Sequence, residues 1–327
     1  MSGRRALAAL AVAAVLLPTA PLGAQSAACA EPVALQDACQ KAADLFAFVM
    51  PQLGMAIAGG NATLGQGSNL GGLGRFSIGL RMTGARGELP RPEPVGVVLG
   101  PAQASTFPVS RLWFAVPQAD VAIGITRGIP LAVSNVGGVD LLISGSWIPE
   151  VTERDVTVRA TDGRFRAGFG ARLGILQESQ SVPGVSVTYL WRALPDADVT
   201  ARSADDTLQV LGARVRAESW RVMASRQRAA FGVAAGIGQD RIDARAGVDA
   251  VVNDGDVRVD LGAPRSFSQK VTRTNAFANA TVNFGFLRVV GEIGRSWGGS
   301  IATFNSFDGT SASEPRLYGS FGVRVGF

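Results

Sequence analysis

Beyond residue 24, the apolar residues of this 327-residue chain come in alternation and not in blocks. RFSIGLRM sets Phe76, Ile78, Leu80 and Met82 against Arg75, Ser77, Gly79 and Arg81. GVSVTYLW sets Val185, Val187, Tyr189 and Trp191 against Ser186 and Thr188. Strand side chains alternate with period two, so each run has one greasy face and one polar face. A helix that crosses a bilayer needs about 20 consecutive apolar residues, and no segment past residue 24 offers them. Yet apolar residues make up 47% of the chain and charged ones only 17%, against about 25% charged in ordinary soluble domains. An exported chain of this kind is either a soluble β-sandwich or a closed β-barrel, the one non-helical way to satisfy the backbone inside a membrane.

The first residues read as a secretory signal. Arg4 and Arg5 precede an unbroken apolar run from Ala6 to Leu17, Pro18 ends it, and Leu22-Gly23-Ala24 supplies small residues for cleavage. Export exposes Cys29 and Cys39, the two cysteines of the chain, to an oxidising compartment, where a structural disulfide between them is expected. Lipidation of Cys29 is the rival, although Ser26 stands where a lipoprotein signal has a large aliphatic residue.

Residues 33 to 50, VALQDACQKAADLFAFVM, repeat apolar residues at helical spacing, and Pro51 is expected to stop the helix. GMAIAGGNATLGQGSNLGGLG, residues 54 to 74, is too rich in glycine and small polar residues to build a core. It suits a linker, or a segment lying close against another surface. From residue 75 the period is two: DVAIGITR, GVDLLISGSW, RFRAGFGARLG and RIDARAGVDAVV continue the alternation. Asn253-Asp254-Gly255-Asp256 marks a hairpin turn. The expected organisation is a signal peptide at 1–24, a helix with a Gly-rich plug-like segment at 25–74, and a barrel at 75–327. The runs count to about 12 antiparallel strands, with 10 to 14 possible, an all-β fold whose unequal loops suit a transmembrane barrel.

The polar face favours the membrane barrel over the sandwich. A sandwich would turn lysines and glutamates to water, but among 31 basic residues only Lys41 and Lys270 are lysine. Glycine, serine and arginine instead face away from the apolar side, as a crowded lumen requires. Arg75, Arg81, Arg164, Arg166, Arg172, Arg241 and Arg245, with Asp243, are therefore expected to face the lumen. In an open pore they would favour anions; alternatively they pair with Asp243, Asp249 and Glu292 and fill the interior without conducting. Trp147, Trp191 and Trp297 each end a run, where amphipathic rings suit a membrane–water interface.

Ser320, Gly322, Val325 and Phe327 give the spacing polar-x-Gly-x-x-hydrophobic-x-hydrophobic at the end of the sequence. The pattern resembles the closing strand of Gram-negative outer-membrane barrels. It implies an outer-membrane location, lipid as surroundings, and insertion by the barrel-assembly machinery. The front, a helix followed by a segment rich in glycine and asparagine, resembles the N-terminal hatch of the long-chain fatty-acid transporter family, without a residue-by-residue match.

Chemistry is bounded by what the chain lacks. With no histidine, there is no Ser-His-Asp triad and no histidine metal ligand. No glycine-rich run matches a phosphate-binding motif. Neither an enzyme, a metal site nor a cofactor is expected. The net charge of +5 is scattered over strands, which does not suggest nucleic-acid binding. The expectation is a monomeric barrel for passive transport of a small or hydrophobic solute. The alternatives are a non-conducting structural or adhesive barrel, acting through loops at 195–206 and 298–315, and a soluble periplasmic β-protein.

Overall fold

The computed structural model of the chain describes residues 25–327 apart from 93–94, 132–133, 149, 154–155, 204–205, 255–256 and 261–262. The signal-like stretch 1–24 lies outside the described residues, as do Gly255 and Asp256 of the expected turn. Ten long strands carry the alternating runs: β1 (Phe76–Pro90), β2 (Val109–Thr126), β3 (Gly138–Trp147), β4 (Phe165–Leu176), β5 (Gly184–Ala193), β6 (Asp206–Arg228), β7 (Phe231–Asp254), β8 (Arg265–Phe284), β9 (Leu287–Trp297) and β10 (Arg316–Gly326). Each pairs antiparallel with the next, and β10 pairs back onto β1 from Tyr318↔Ala85 to Gly326↔Ser77. The sheet is thus a closed barrel with no free edge. Ten strands close the ring, at the lower bound of the expected range. Short strands at Val156–Ala160, Ala197–Ser203 and Val257–Asp260 only extend β6 and β7 beyond the ring, and the second of them falls in the stretch 195–206 expected as a loop.

One end of the barrel holds tight turns, Arg228 to Phe231 and Phe284 to Leu287, and the seam where Phe76 and Phe327 exchange backbone hydrogen bonds of 3.2 and 2.9 Å. The connections at the other end are long. Along most of the wall, Leu80, Met82, Ile143, Phe169, Tyr189, Val233, Ile237, Ile293 and Phe321 stand exposed outside. Arg81, Asp120, Asp140, Arg172, Arg192, Arg221, Asp240 and Glu292 are buried inside. A closed barrel satisfies its backbone through the ladder, which leaves each face free to match what it meets.

The lumen is occupied. Helix α1 (Gln36–Ala58) lies in the long-loop half, and residues 59–74 run on toward the short-turn end. Pro51 does not stop the helix. Gln52 Nε2 donates to the Phe48 carbonyl at 2.9 Å within the turn that proline interrupts. Leu53, Met55, Ala56 and Ile57 continue into the core, so packing overrides the local preference. Gly54 is required by closeness: an added Cβ would lie 2.4 Å from Ile242 Cγ2 on β7.

The wall changes character along β6, β7 and β8. On β7 the exposed apolar residues are Phe231, Val233 and Ile237, at odd positions, but the buried ones beyond Asp240 are Ile242, Ala244, Ala246 and Val248, at even positions. The pairing with β8 runs without a shift from Phe231 to Val248, so facing is unchanged and polarity is exchanged. In this upper section the apolar residues point inward and pack around α1.

Candidate functional site: the plugged lumen

The helix ends where its last carbonyls meet the wall. The final four carbonyls of a helix lack partners within it and form the negative end of its dipole. Here Arg192 Nη1 of β5 lies 2.9 to 3.3 Å from the carbonyl oxygens of Ile57, Ala58, Gly59 and Gly60, which share its two N–H donors. Arg221 Nη2 of β6 donates to the Ala58 carbonyl at 2.6 Å, and Arg81 Nη1 of β1 to the Gly59 carbonyl at 2.6 Å. Three guanidinium groups from three strands thus converge on one helix terminus. Gly60, at φ +69°, turns the chain away, and its N–H donates to Glu292 Oε1 at 2.9 Å.

Buried charge needs buried counter-charge. Arg81 Nε pairs with Asp120 Oδ2 at 2.6 Å, and Ser144 Oγ donates to the other oxygen at 2.7 Å. Arg221 lies 3.9 Å from Asp240 and 3.7 Å from Glu292. Below this layer, Arg172 pairs with Asp140 at 2.6 Å, both side chains wholly inaccessible. Arg172 also donates to Thr63 Oγ1 and the Gln66 carbonyl, while Asp140 accepts the Leu70 N–H at 3.0 Å. The Gly67 N–H donates to Ser225 Oγ at 2.8 Å. Residues 59–70 are therefore held by polar contacts to the wall, and Ala62 and Leu70 also pack against Ala122, Leu142 and Leu190.

The other end of α1 is covered by the long loops. Lys41 Nζ bridges Asp37 at 2.6 Å and the Gly96 carbonyl at 2.7 Å. Asp44 accepts the Asn305 N–H at 2.8 Å and Asn305 Nδ2 at 2.7 Å. Burial pushes the Asp44 carboxyl above its usual range against the pull of those bonds. Phe307 stacks on Phe48 with centroids 4.0 Å apart, and Ser306–Phe307 pairs in parallel with Thr106–Phe107. Cys29 and Cys39 are disulfide-bonded, with Cα atoms 5.5 Å apart, and tie the segment before α1 to its first turns.

The residues expected in the lumen divide into three groups. Arg81 and Arg172 lie inside and hold the plug. Arg75 is exposed just before β1, and Arg164 is exposed on a loop, paired with Glu150 at 2.6 Å. Arg166 sits half-buried at the rim between Asp162 and Asp196. Arg241, Asp243 and Arg245 correct the expectation most sharply: they face outward, because their even-numbered neighbours are taken up by α1. Arg245 and Lys270 pair with Asp243 on that outer surface, at 3.2 and 3.7 Å. The sequence reading missed Arg192, Arg221, Asp120, Asp140 and Asp240. Three of the five carried a usable signal: Ala119-Asp120-Val121, Val139-Asp140-Leu141 and Trp220-Arg221-Val222 enclose one charge between two apolar residues of the opposite phase, whereas Asp240 lies between Gln239 and Arg241.

Trp147, Trp191 and Trp297 lie on the outer face near the long-loop end, and Trp113 and Trp220 also face outward. Phe327 stacks on Phe76 at 4.9 Å, near exposed Phe231, Phe284 and Phe286 at the short-turn end. In β10, Ser320 faces inward to Thr83 Oγ1 at 2.9 Å. Gly322 leaves room for Arg81, whose Cβ would lie 2.8 Å from an added Cβ. Val325 pairs with Ile78 across the seam.

Fold and lumen together define the class: a closed ten-stranded antiparallel barrel with an internal N-terminal plug. No protein-family model matches the sequence, and no curated protein shows detectable similarity to it. Among solved structures, it is similar to a TodX deletion mutant described as a monoaromatic hydrocarbon channel, at 8% identity and TM-score 0.31, covering 79% of this chain and 92% of that one. A Pseudomonas aeruginosa FadL homologue matches at 9% identity and TM-score 0.20, covering 77% and 90%. The outer membrane channel DcaP of Acinetobacter baumannii matches at 10% and 0.19, covering 80% and 99%. Superpositions this loose carry no weight for function, and the fold rests on the strand pairing itself.

Proposed function

We propose that the chain is a monomeric outer-membrane barrel that passes a small or hydrophobic solute passively, with residues 33–74 as a plug that must shift for passage. The observation that carries this reading is what fills the lumen. A barrel built only as a surface support can close its interior with side chains of its own wall. Here a separate segment fills it, and residues 59–70 are held to the wall mainly by polar contacts to Arg172, Asp140 and Ser225, with Ala62 and Leu70 against a small apolar cluster of Ala122, Leu142 and Leu190. The outer apolar face, bounded by tryptophans toward one end and phenylalanines at the other, supports a lipid setting over a soluble periplasmic one. The placement of the front inside the barrel supports the resemblance to a transporter hatch. The long loop at 298–315 folds onto α1, which disfavours an adhesive role for it.

A cross-link between plug and wall tests the reading. A Cβ added at Gly67 would lie 2.9 Å from Ser225 Oγ but also 2.7 Å from the Gly184 carbonyl oxygen, so a disulfide between Gly67→Cys and Ser225→Cys forms with a small shift of the plug away from Gly184. In planar bilayers the oxidised variant should be silent, and the reduced variant should pass ions as the unmodified barrel does. If the unmodified barrel is silent and solute uptake is the same in both redox states, a non-conducting barrel is the better reading. The seam at Phe76 and Phe327 also supports the role of β10 as an assembly signal: deleting Phe327 should lower the inserted, heat-modifiable fraction in cells, and an unchanged fraction would remove that role.

A further inference from the structure

Where the wall exchanges polarity, its outer face gathers cations. Across β6, β7 and β8, Arg216, Asp243 and Lys270 form one row, with Glu218, Arg241 and Thr272 in the row beneath and Arg245 in the row above. Rows on one face lie about 7 Å apart along a strand and neighbouring strands about 4.8 Å apart, so these groups share one patch. Arg241, Arg245, Lys270 and Thr272 are exposed. Arg245 and Lys270 divide one carboxylate between them, 3.2 and 3.7 Å from the two oxygens of Asp243. Arg216 is half-buried, and its Nε has no hydrogen-bond partner among the described residues. Arg214, beside Arg245, is taken up by Asp196 at 2.9 Å, and Asp249 stands two rows above Arg245. Four cations therefore face two carboxylates, and two positive charges are left over.

The rows beneath fix the depth of the patch. Trp220 and Gln239 come next, with the indole exposed and its Nε1 3.4 Å from Gln239 Oε1, and then Val222, Ile237 and Ala276. Apolar wall, tryptophan and cations follow one another up the same three strands. A bilayer presents the matching order: hydrocarbon, an interface that suits tryptophan, and a headgroup layer roughly 5–8 Å deep on each side. The patch is at the long-loop end, the outward end of outer-membrane barrels. Surplus cations spread over three strands suit more than one phosphate, and the Thr272 hydroxyl adds a donor for phosphate or sugar oxygens.

We propose that this patch binds the headgroup of a doubly phosphorylated outer-leaflet glycolipid, with Arg241 and Lys270 on phosphate and the acyl chains along Val222 and Ile237. The inference rests on the membrane setting proposed above and not on solute passage.

Native mass spectrometry of the detergent-folded barrel tests it, with doubly phosphorylated lipid A, lipid A stripped of phosphate, and phosphatidylglycerol as probes. Doubly phosphorylated lipid A should bind about tenfold more tightly than either of the others. Arg241→Gln and Lys270→Gln should each weaken it about fivefold, the usual worth of one basic group beside an anionic headgroup. Asp243→Asn, which releases Arg245 and Lys270, should strengthen binding, and Arg75→Gln at the short-turn end should leave it unchanged. Equal affinity for phosphorylated and stripped lipid A, a loss at Arg75 as large as at Arg241, or weaker binding by Asp243→Asn would overturn the patch. Phosphatidylglycerol bound as tightly as lipid A would overturn the choice of a glycolipid. Each of these outcomes leaves the membrane setting standing, whereas a barrel that retains none of the three lipids removes that setting as well.

Discussion

Two stretches of one strand make the most informative contrast in this barrel. Along β7 from Phe231 to Asp240, the outer face is apolar and the inner face meets polar groups, including Asp240 beneath Arg221. From Arg241 to Asp249 the outer face carries Arg241, Asp243, Arg245 and Asp249, and the inner face is Ile242, Ala244, Ala246 and Val248. The backbone and its pairing with β8 are continuous between them, and the one register shift, against β6, lies beyond the exchange at Arg245–Gly247. Polarity is therefore not a property of the strand but of what each side meets. In the proposed membrane setting, lipid outside and a polar plug segment inside demand one pattern; water outside and an apolar helix inside demand the opposite.

The contrast is broken most severely at the polar core. Arg172 and Asp140 are both inaccessible to solvent. Asp140→Ala would leave the guanidinium buried without its counter-charge and the Leu70 N–H without its acceptor. Removing one member of a buried pair costs about 3–5 kcal/mol. Unfolding of the detergent-folded barrel should show a loss of that size. A loss under about 1 kcal/mol would mean that water reaches the pair and that the lower lumen is not as closed as the packing indicates.

The apolar inner face of the upper section comes next. Ile242→Ala removes a side chain wedged against Gly54 of α1, in a site where neighbours cannot collapse freely. Buried Ile→Ala substitutions cost about 2–5 kcal/mol through lost burial and the remaining cavity. The same measurement should place this variant slightly below Asp140→Ala. If it is neutral while Ile237→Ala on the outer face is costly, the facing assigned to β7 is reversed.

Much of this architecture was legible in the sequence, for a physical reason: period-two alternation over most of the chain leaves few folds, and the stretch Val33–Ala58, long and apolar enough to cross a membrane, is instead buried in the lumen. Strand regions and most of the N-terminal helix follow from spacing, and the disulfide from two cysteines in a chain read as exported. Facing did not follow for β7. Alternation states that two faces differ and does not state which is inside. The clue was the shift of apolar residues from odd positions at Val233 and Ile237 to even positions at Ile242 and Ala244, with no turn or glycine bulge between. A phase change inside one uninterrupted strand is the mark of a wall whose surroundings change from one side to the other. The clamp on the helix terminus was illegible for a different reason. Arg81, Arg192 and Arg221 are separated by up to 140 residues in sequence, as their numbers show, and only barrel closure brings them to the same carbonyls.

The smallest effect is expected where the chemistry is nominally the same as in the buried pair. Arg245 and Asp243 also join a guanidinium to a carboxylate, 3.2 Å apart, but the arginine side chain is 60% exposed on the outer face. Water already solvates both charges, and Lys270 stands 3.7 Å from the same carboxylate, so losing one cation leaves another. Exposed pairs contribute about 0.2–1 kcal/mol, reduced further by salt. Arg245→Ala should therefore shift the unfolding midpoint barely beyond error at low salt and not at all at high salt, where Asp140→Ala keeps its full effect. That difference in salt response separates the two faces more cleanly than either stability loss alone. A salt-insensitive loss of several kcal/mol at Arg245 would place it in the interior, and with it the whole polarity exchange along β7 would fall.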